Sequence, residues 1–179
     1  GVPDRRRPDH CSCRATDSAV LRMTTRRGGF GDVRVSFRLR IDRLLATSKT
    51  PARAWDGVNV FLRWRSEREL YALAIQRRDG RVALKRKQPS GNVNGGRYTT
   101  IAEARGPRLL DGRRHAIRAT VTNRPGGKVA VTLDVDGRQV LAGVDGGADG
   151  PALVRPGRVG LRADNTEFDI DDVRVEPIG

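Results

Sequence analysis

Residues 59–98 hold the densest set of side chains able to grip an anion. Arg63, Arg65, Arg77, Lys85 and Lys87 supply positive charge there, and Asn59, Gln76, Asn92 and Asn94 supply amides. A guanidinium holds a carboxylate through two parallel N–H donors, a fork that lysine lacks. Tyr and Trp add flat faces on which the C–H edge of a sugar ring packs. Such residues on neighbouring strands make a good surface for carboxylated sugars.

Other chemistry is thinner. Glu167, Asp169 and Asp171 stand at i, i+2 and i+4, so an extended strand presents them on one face. A glycoside hydrolase needs two carboxylates about 5 to 9.5 Å apart. The trio, however, lies on the final strand and ends in Asp. Asp169 and Asp171 better suit a structural calcium, because carboxylate oxygens favour a hard cation. His10, Cys11 and Cys13 offer three close ligands without a fourth, which falls short of a zinc pattern. On a strand the two cysteines sit about 6.5–7 Å apart, near the limit for a disulfide. A bridge, two thiols and a bond to another chain all stay open. None of this requires a cofactor.

The chain has 179 residues and a net charge of +14. The basic excess lies in residues 1–100, and acids outnumber bases after residue 150. A GC-rich coding bias explains why Arg greatly outnumbers Lys, but not the shortage of acids. The charge points to an anionic partner: polyuronate, sulfated glycan, nucleic acid or an acidic surface. No apolar run is long enough for a transmembrane helix. No signal-peptide pattern precedes Gly1, so a mature form is expected.

The elements that must position these residues are strands. DVRVSFRLRI alternates most clearly, with Val33, Val35, Phe37, Leu39 and Ile41 inward and arginines outward. GVNVFLRWRS, ELYALAIQRR and RVALKRK form a meander, with a turn at Asp79-Gly80. Strict alternation puts Val58, Val60, Leu62 and Trp64 on one face and Asn59, Phe61, Arg63 and Arg65 on the other. On the next strand it sets Tyr71, Leu73, Ile75 and Arg77 against Leu70, Ala72, Ala74 and Gln76. Lys85 and Lys87 share a face, with Arg86 opposite. RYTTIAEA follows a Gly-rich loop. Asp136-Gly137 marks a hairpin turn. Phe168, Ile170, Val173 and Val175 share a face only if a bulge absorbs one residue at Asp171-Asp172. About eleven strands and almost no helix predict an all-β fold of two packed antiparallel sheets. Residues 1–17 are read as a polar tail or loose first strand, and 18–179 as a single domain.

The closing succession, GRRHAIRATVT, GKVAVTLDVDGRQV and GRVGLRADNTEFDIDDVRV, resembles the last strands of concanavalin A-like jelly-roll sandwiches, the laminin-G-type branch most closely. The resemblance implies a jelly roll that handles sugars on its concave sheet and works outside the cytoplasm, in a secreted or cell-envelope setting. It casts Asn59, Arg63, Arg65, Gln76, Arg77, Lys85, Lys87 and Asn94 as substrate-binding residues. Some lyases use the same sandwich. For β-elimination of a uronate, Arg63 would neutralise the carboxylate, while Tyr71 and Tyr98 would move protons. RSEREL and AIQRR only echo the alginate-lyase strands, and no His follows Gln76. His115 resembles a packing His of the laminin-G-type strand. The leading expectation is binding of an acidic polysaccharide. A lyase is the alternative, and a nucleic-acid or purely structural module comes third.

Overall fold

The computed structural model describes residues 20–46, 50–89 and 96–178. Strands form where apolar and polar residues alternate. They are β1 (Val20–Thr24), β2 (Val33–Leu44), β3 (Gly57–Ser66), β4 (Glu69–Arg77), β5 (Arg81–Gln88) and β6 (Arg97–Arg105). Then come β7 (His115–Arg124), β8 (Lys128–Val135), β9 (Arg138–Asp145), β10 (Arg158–Asp164) and β11 (Thr166–Pro177). No described residue is helical, and no helix is long and apolar enough to cross a membrane. The predicted tail at 1–17, with His10, Cys11 and Cys13, lies outside the described residues.

Six strands form one sheet in the order β1-β10-β3-β4-β5-β6. Five form the other, in the order β11-β2-β7-β8-β9. Every neighbouring pair is antiparallel. This is the two-sheet jelly-roll sandwich that the sequence predicts. The core lies between the sheets. Val33, Val35, Phe37, Leu39 and Ile41 of β2 meet Val58, Val60 and Leu62 of β3 and Leu73 and Ile75 of β4 in one apolar cluster. Burying each such side chain is worth roughly 1.5–3 kcal/mol. The β8–β9 turn has φ of +51° at Asp136 and +80° at Gly137, as a type I′ hairpin needs.

Register shifts break the alternation in several strand pairs, and those in β3, β4 and β11 decide which of the expected site residues face out. In β4, Gln76 is opposite Val58 but Ala74 is opposite Asn59, so Ile75 is extra. In β3 the shift follows Leu62, where Arg63 has φ of +51°. In β11 it lies between Asp171 and Arg174, with Asp172 at φ of +53°. That last bulge falls where the spacing of Ile170 and Val173 predicts one.

Candidate functional site

The outward face of the six-stranded sheet holds a cavity of about 330 Å³. Its apolar floor comes from Phe61 on β3 and from Ala72 and Ala74 on β4. Small alanines leave the room; larger residues there would fill it. Trp55, from the loop before β3, and Tyr98, on β6, add aromatic surface. Trp55 is 56% exposed, so an indole stands uncovered at this site. Asn59, Arg77, Lys85, Arg162 and Asp164 supply the polar groups. Beside it, Trp64 and Tyr98 pack against Phe61, Leu70 and Ala72. The Arg158 guanidinium lies 5.5 Å from the Trp64 ring centre.

Bulges build this set. With Ile75 extra, Gln76 lies opposite inward-facing Val58, and its Oε1 accepts from the core Leu109 N–H at 3.0 Å. Arg77 then lines the groove beside Ala74. Strict alternation had placed Gln76 with Ala74 and Arg77 with Tyr71, so the bulge exchanges their faces. In β3 the bulge exchanges Arg63 and Trp64 in the same way. Arg63 is 1% exposed. It donates to Asp32 Oδ1 at 2.8 Å, Asn123 Oδ1 at 3.1 Å and the Val154 carbonyl at 2.5 Å. Burial lowers its pKa, although Asp32 opposes the shift.

The remaining expected residues divide between groove, core and hairpin. Tyr71 points into the core at 0% exposure. Its hydroxyl donates to Asp145 Oδ2 at 2.6 Å and accepts from Leu153 N–H at 3.0 Å. Burial and then Asp145 raise its pKa. Arg65 pairs with Glu69 at 2.9 Å across the β3–β4 hairpin. Lys85 and Lys87 share the outward face as expected, opposite Ala72 and Leu70. The Lys87 ammonium sits 5.2 Å from the Tyr98 ring centre. Asn94 and Asn92 lie outside the described residues. The groove thus unites Asn59, Arg77, Lys85 and Tyr98, with Lys87 alongside, and leaves out Arg63, Tyr71 and Gln76.

Arg162, Asp164 and Trp55 were not anticipated as site residues. GRVGLRAD alternates, and its Arg162 and Asp164 oppose Asn59 and Gly57 on β3, which puts both on the groove face. That alternation is the sequence signal for both residues. Arg162 grips Asp164 with Nε to Oδ2 at 2.8 Å and Nη2 to Oδ1 at 2.7 Å. Arg77 pairs with Asp79 at 2.6 Å and with Glu103 at 3.7 Å. Lys85 has no ion pair among the described residues. Burial, then the positive field of Arg77, lower its pKa. Lys87 is lowered by burial, then by Arg162 and Arg22. Burial raises that of Tyr98. The cluster is cationic and partly desolvated, which strengthens its attraction for an anion.

The acidic strand β11 is matched to basic strand β2. Asp169 pairs with Arg40, and Glu167 with Arg43 at 2.6 Å. Asp171 lies 3.6 Å from Arg114. These carboxylates already have cationic partners, and no group of three or more His, Cys, Asp or Glu is placed to hold a metal among the described residues.

No protein-family model matches the chain, and neither does the sequence of any curated protein. Solved structures match its fold. A Bacillus subtilis protein of unknown function with a galectin-like fold aligns with a TM-score of 0.64 at 13% identity, covering 90% of this chain and 79% of that one. The Emp46p carbohydrate recognition domain, in a single-site mutant form, gives 0.58 at 11% identity, covering 87% and 77%. A variant of human galectin-16 gives 0.50 at 13%, covering 90% and 96%. The architecture is a galectin-like, concanavalin A-like jelly roll.

Proposed function

We propose that this chain binds glycans in the groove of the six-stranded sheet and prefers acidic ones. The observation that carries the reading is the Lys85 ammonium, unmatched by an ion pair among the described residues, in one cavity with the faces of Trp55 and Tyr98. The rings would cover the apolar face of a sugar, and Lys85 would meet its carboxylate. Asn59 and the Arg162–Asp164 pair offer donors and acceptors for hydroxyls. A similar fold carries the name of a carbohydrate recognition domain in Emp46p, which supports sugar as the ligand class. The laminin-G-type branch rests on the closing strands of the sequence alone. We also propose a secreted or cell-envelope location, where polyuronates occur; fractionating the producing cells tests it.

The lyase alternative needs a neutraliser, a base and an acid around one uronate. Tyr98 is at the groove, but Arg63 and Tyr71 are enclosed in the sandwich, so binding is the better-supported reading. Emp46p has been solved in metal-free and potassium-bound forms, which concerns that protein; calcium at Asp169 and Asp171 would first have to displace Arg40 and Arg114.

Indole fluorescence tests the proposal directly, since one of the chain's two tryptophans lies in the groove. Oligogalacturonate should shift the emission and neutral galactan much less. Lys85→Gln should weaken uronate binding about tenfold, the loss of one charge-assisted hydrogen bond. Equal response to neutral and acidic sugars would overturn the acidic preference. Equal binding of heparin and DNA, abolished by moderate salt, would reduce it to bulk charge. New absorbance from an unsaturated uronate would replace binding with cleavage.

A further inference from the structure

The outward face of the five-stranded sheet carries a second cleft, of about 230 Å³, lined in part by Ser36. Arginines converge on it from three strands. Arg174 of β11 and Arg118 of β7 lie directly opposite Ser36 on either side. Arg38 lies two residues further along β2 and lines the same cleft. Facing residues of paired strands have Cβ atoms about 4.5–5.5 Å apart, so guanidinium arms on both sides are long enough to meet a ligand held over the serine. Arg118 and Arg174 have no ion pair among the described residues, and Arg38 has only a loose one, 3.6 Å from Asp172. Serine is small, and it adds a hydroxyl donor to the lining that it shares with the three arginines.

We propose that this cleft is a sulfate-ester site for a sulfated glycan, separate from the groove on the other sheet. Donor geometry and charge both favour that group. Three forks and a hydroxyl approach from several sides, which suits the three free oxygens of a tetrahedral sulfate better than the two of a planar carboxylate. Asp134 and Asp172 also line the cleft. Against three arginines they leave one net positive charge, which matches a monoanionic sulfate ester. The same two carboxylates would repel the closely spaced phosphates of nucleic acid, and Phe37, the cleft's one aromatic residue, is buried in the core, leaving no ring to stack a base.

The test is a backbone-amide NMR titration of the whole chain with a heparin-derived tetrasaccharide and its fully desulfated counterpart. The sulfated sugar should shift the signals of Ser36, Arg118 and Arg174, and the desulfated sugar should not. Arg118→Gln with Arg174→Gln should weaken that interaction at least about tenfold. Ser36→Val should weaken it by a smaller factor, about fivefold, without changing charge, with thermal melts showing that each variant is folded. In Lys85→Gln these shifts should persist, so failure of the groove reading and of this one remain distinguishable. Shifts confined to β3–β6 would overturn the site. So would equal shifts from the desulfated sugar, or equal affinity for duplex DNA at this face.

Discussion

His115 is held between two carboxylates. Its Nδ1 lies 2.7 Å from Asp136 Oδ2 and its Nε2 lies 2.9 Å from Asp111 Oδ1. Both ring nitrogens donate only in the imidazolium form, so this geometry favours the charged ring. Burial opposes that charge, but the hydrogen bonds to Asp136 and Asp111 outweigh it, and the pKa rises above 6.5. The His115 hydrogen bonds in turn lower the pKa of both aspartates. The contribution of His115 should be fully present below its unfolded pKa and be lost as pH rises through the raised folded value. That of the aspartates should be lost as pH falls through their lowered values. Thermal melts across pH should therefore show a plateau that is lowered in His115→Gln and loses its fall at high pH; an unchanged profile would contradict the network. The sequence read His115 as structural and Asp136 as a turn residue, without linking them. Arg63 was less legible: alternation put it outside, and only its left-handed backbone turns it in.

At the scale of elements, the site depends on the β3–β4 bulge. Gly57 starts β3 with φ of +146°, and a Cβ there would sit 1.8 Å from the Gln76 carbonyl oxygen. Gly57→Ala should therefore cost about 2–4 kcal/mol, from backbone strain and clash. Urea denaturation measures that loss, and a change within about 0.5 kcal/mol would mean that the bulge relaxes freely. The variant should also weaken groove binding, because Arg77 and Gln76 owe their faces to this register. Strand positions and the Lys85/Lys87 face were legible, since alternation is local. The Gln76/Arg77 exchange was not, because a register shift belongs to a pair of strands, and the partner of each residue is set by the fold.

Across the whole molecule, the sheets are joined by charge as well as by apolar contact. Asp145, at the end of β9, accepts from Tyr71 of β4 and from Arg86 Nη1 of β5 at 2.6 Å each. Arg86 and Asp145 side chains are fully buried. Asp145→Ala would strand a buried guanidinium and should cost about 3–5 kcal/mol. Arg86→Met combined with Asp145→Leu should restore most of that loss; equal damage from the double change would show that shape, not charge, holds this junction. The overall fold was legible because the closing strands carry a strong pattern and resemble a known sandwich. Their place in the sheets has a further consequence, in time rather than space. β10 is synthesised late, yet it fills the gap between β1 and β3, and β11 closes beside β2. Until the ribosome releases these two strands, the edges of β1 and β3 that β10 will cover stay bare and the large sheet is divided. Folding must wait for them and close long loops, which makes it slow for a chain of this size.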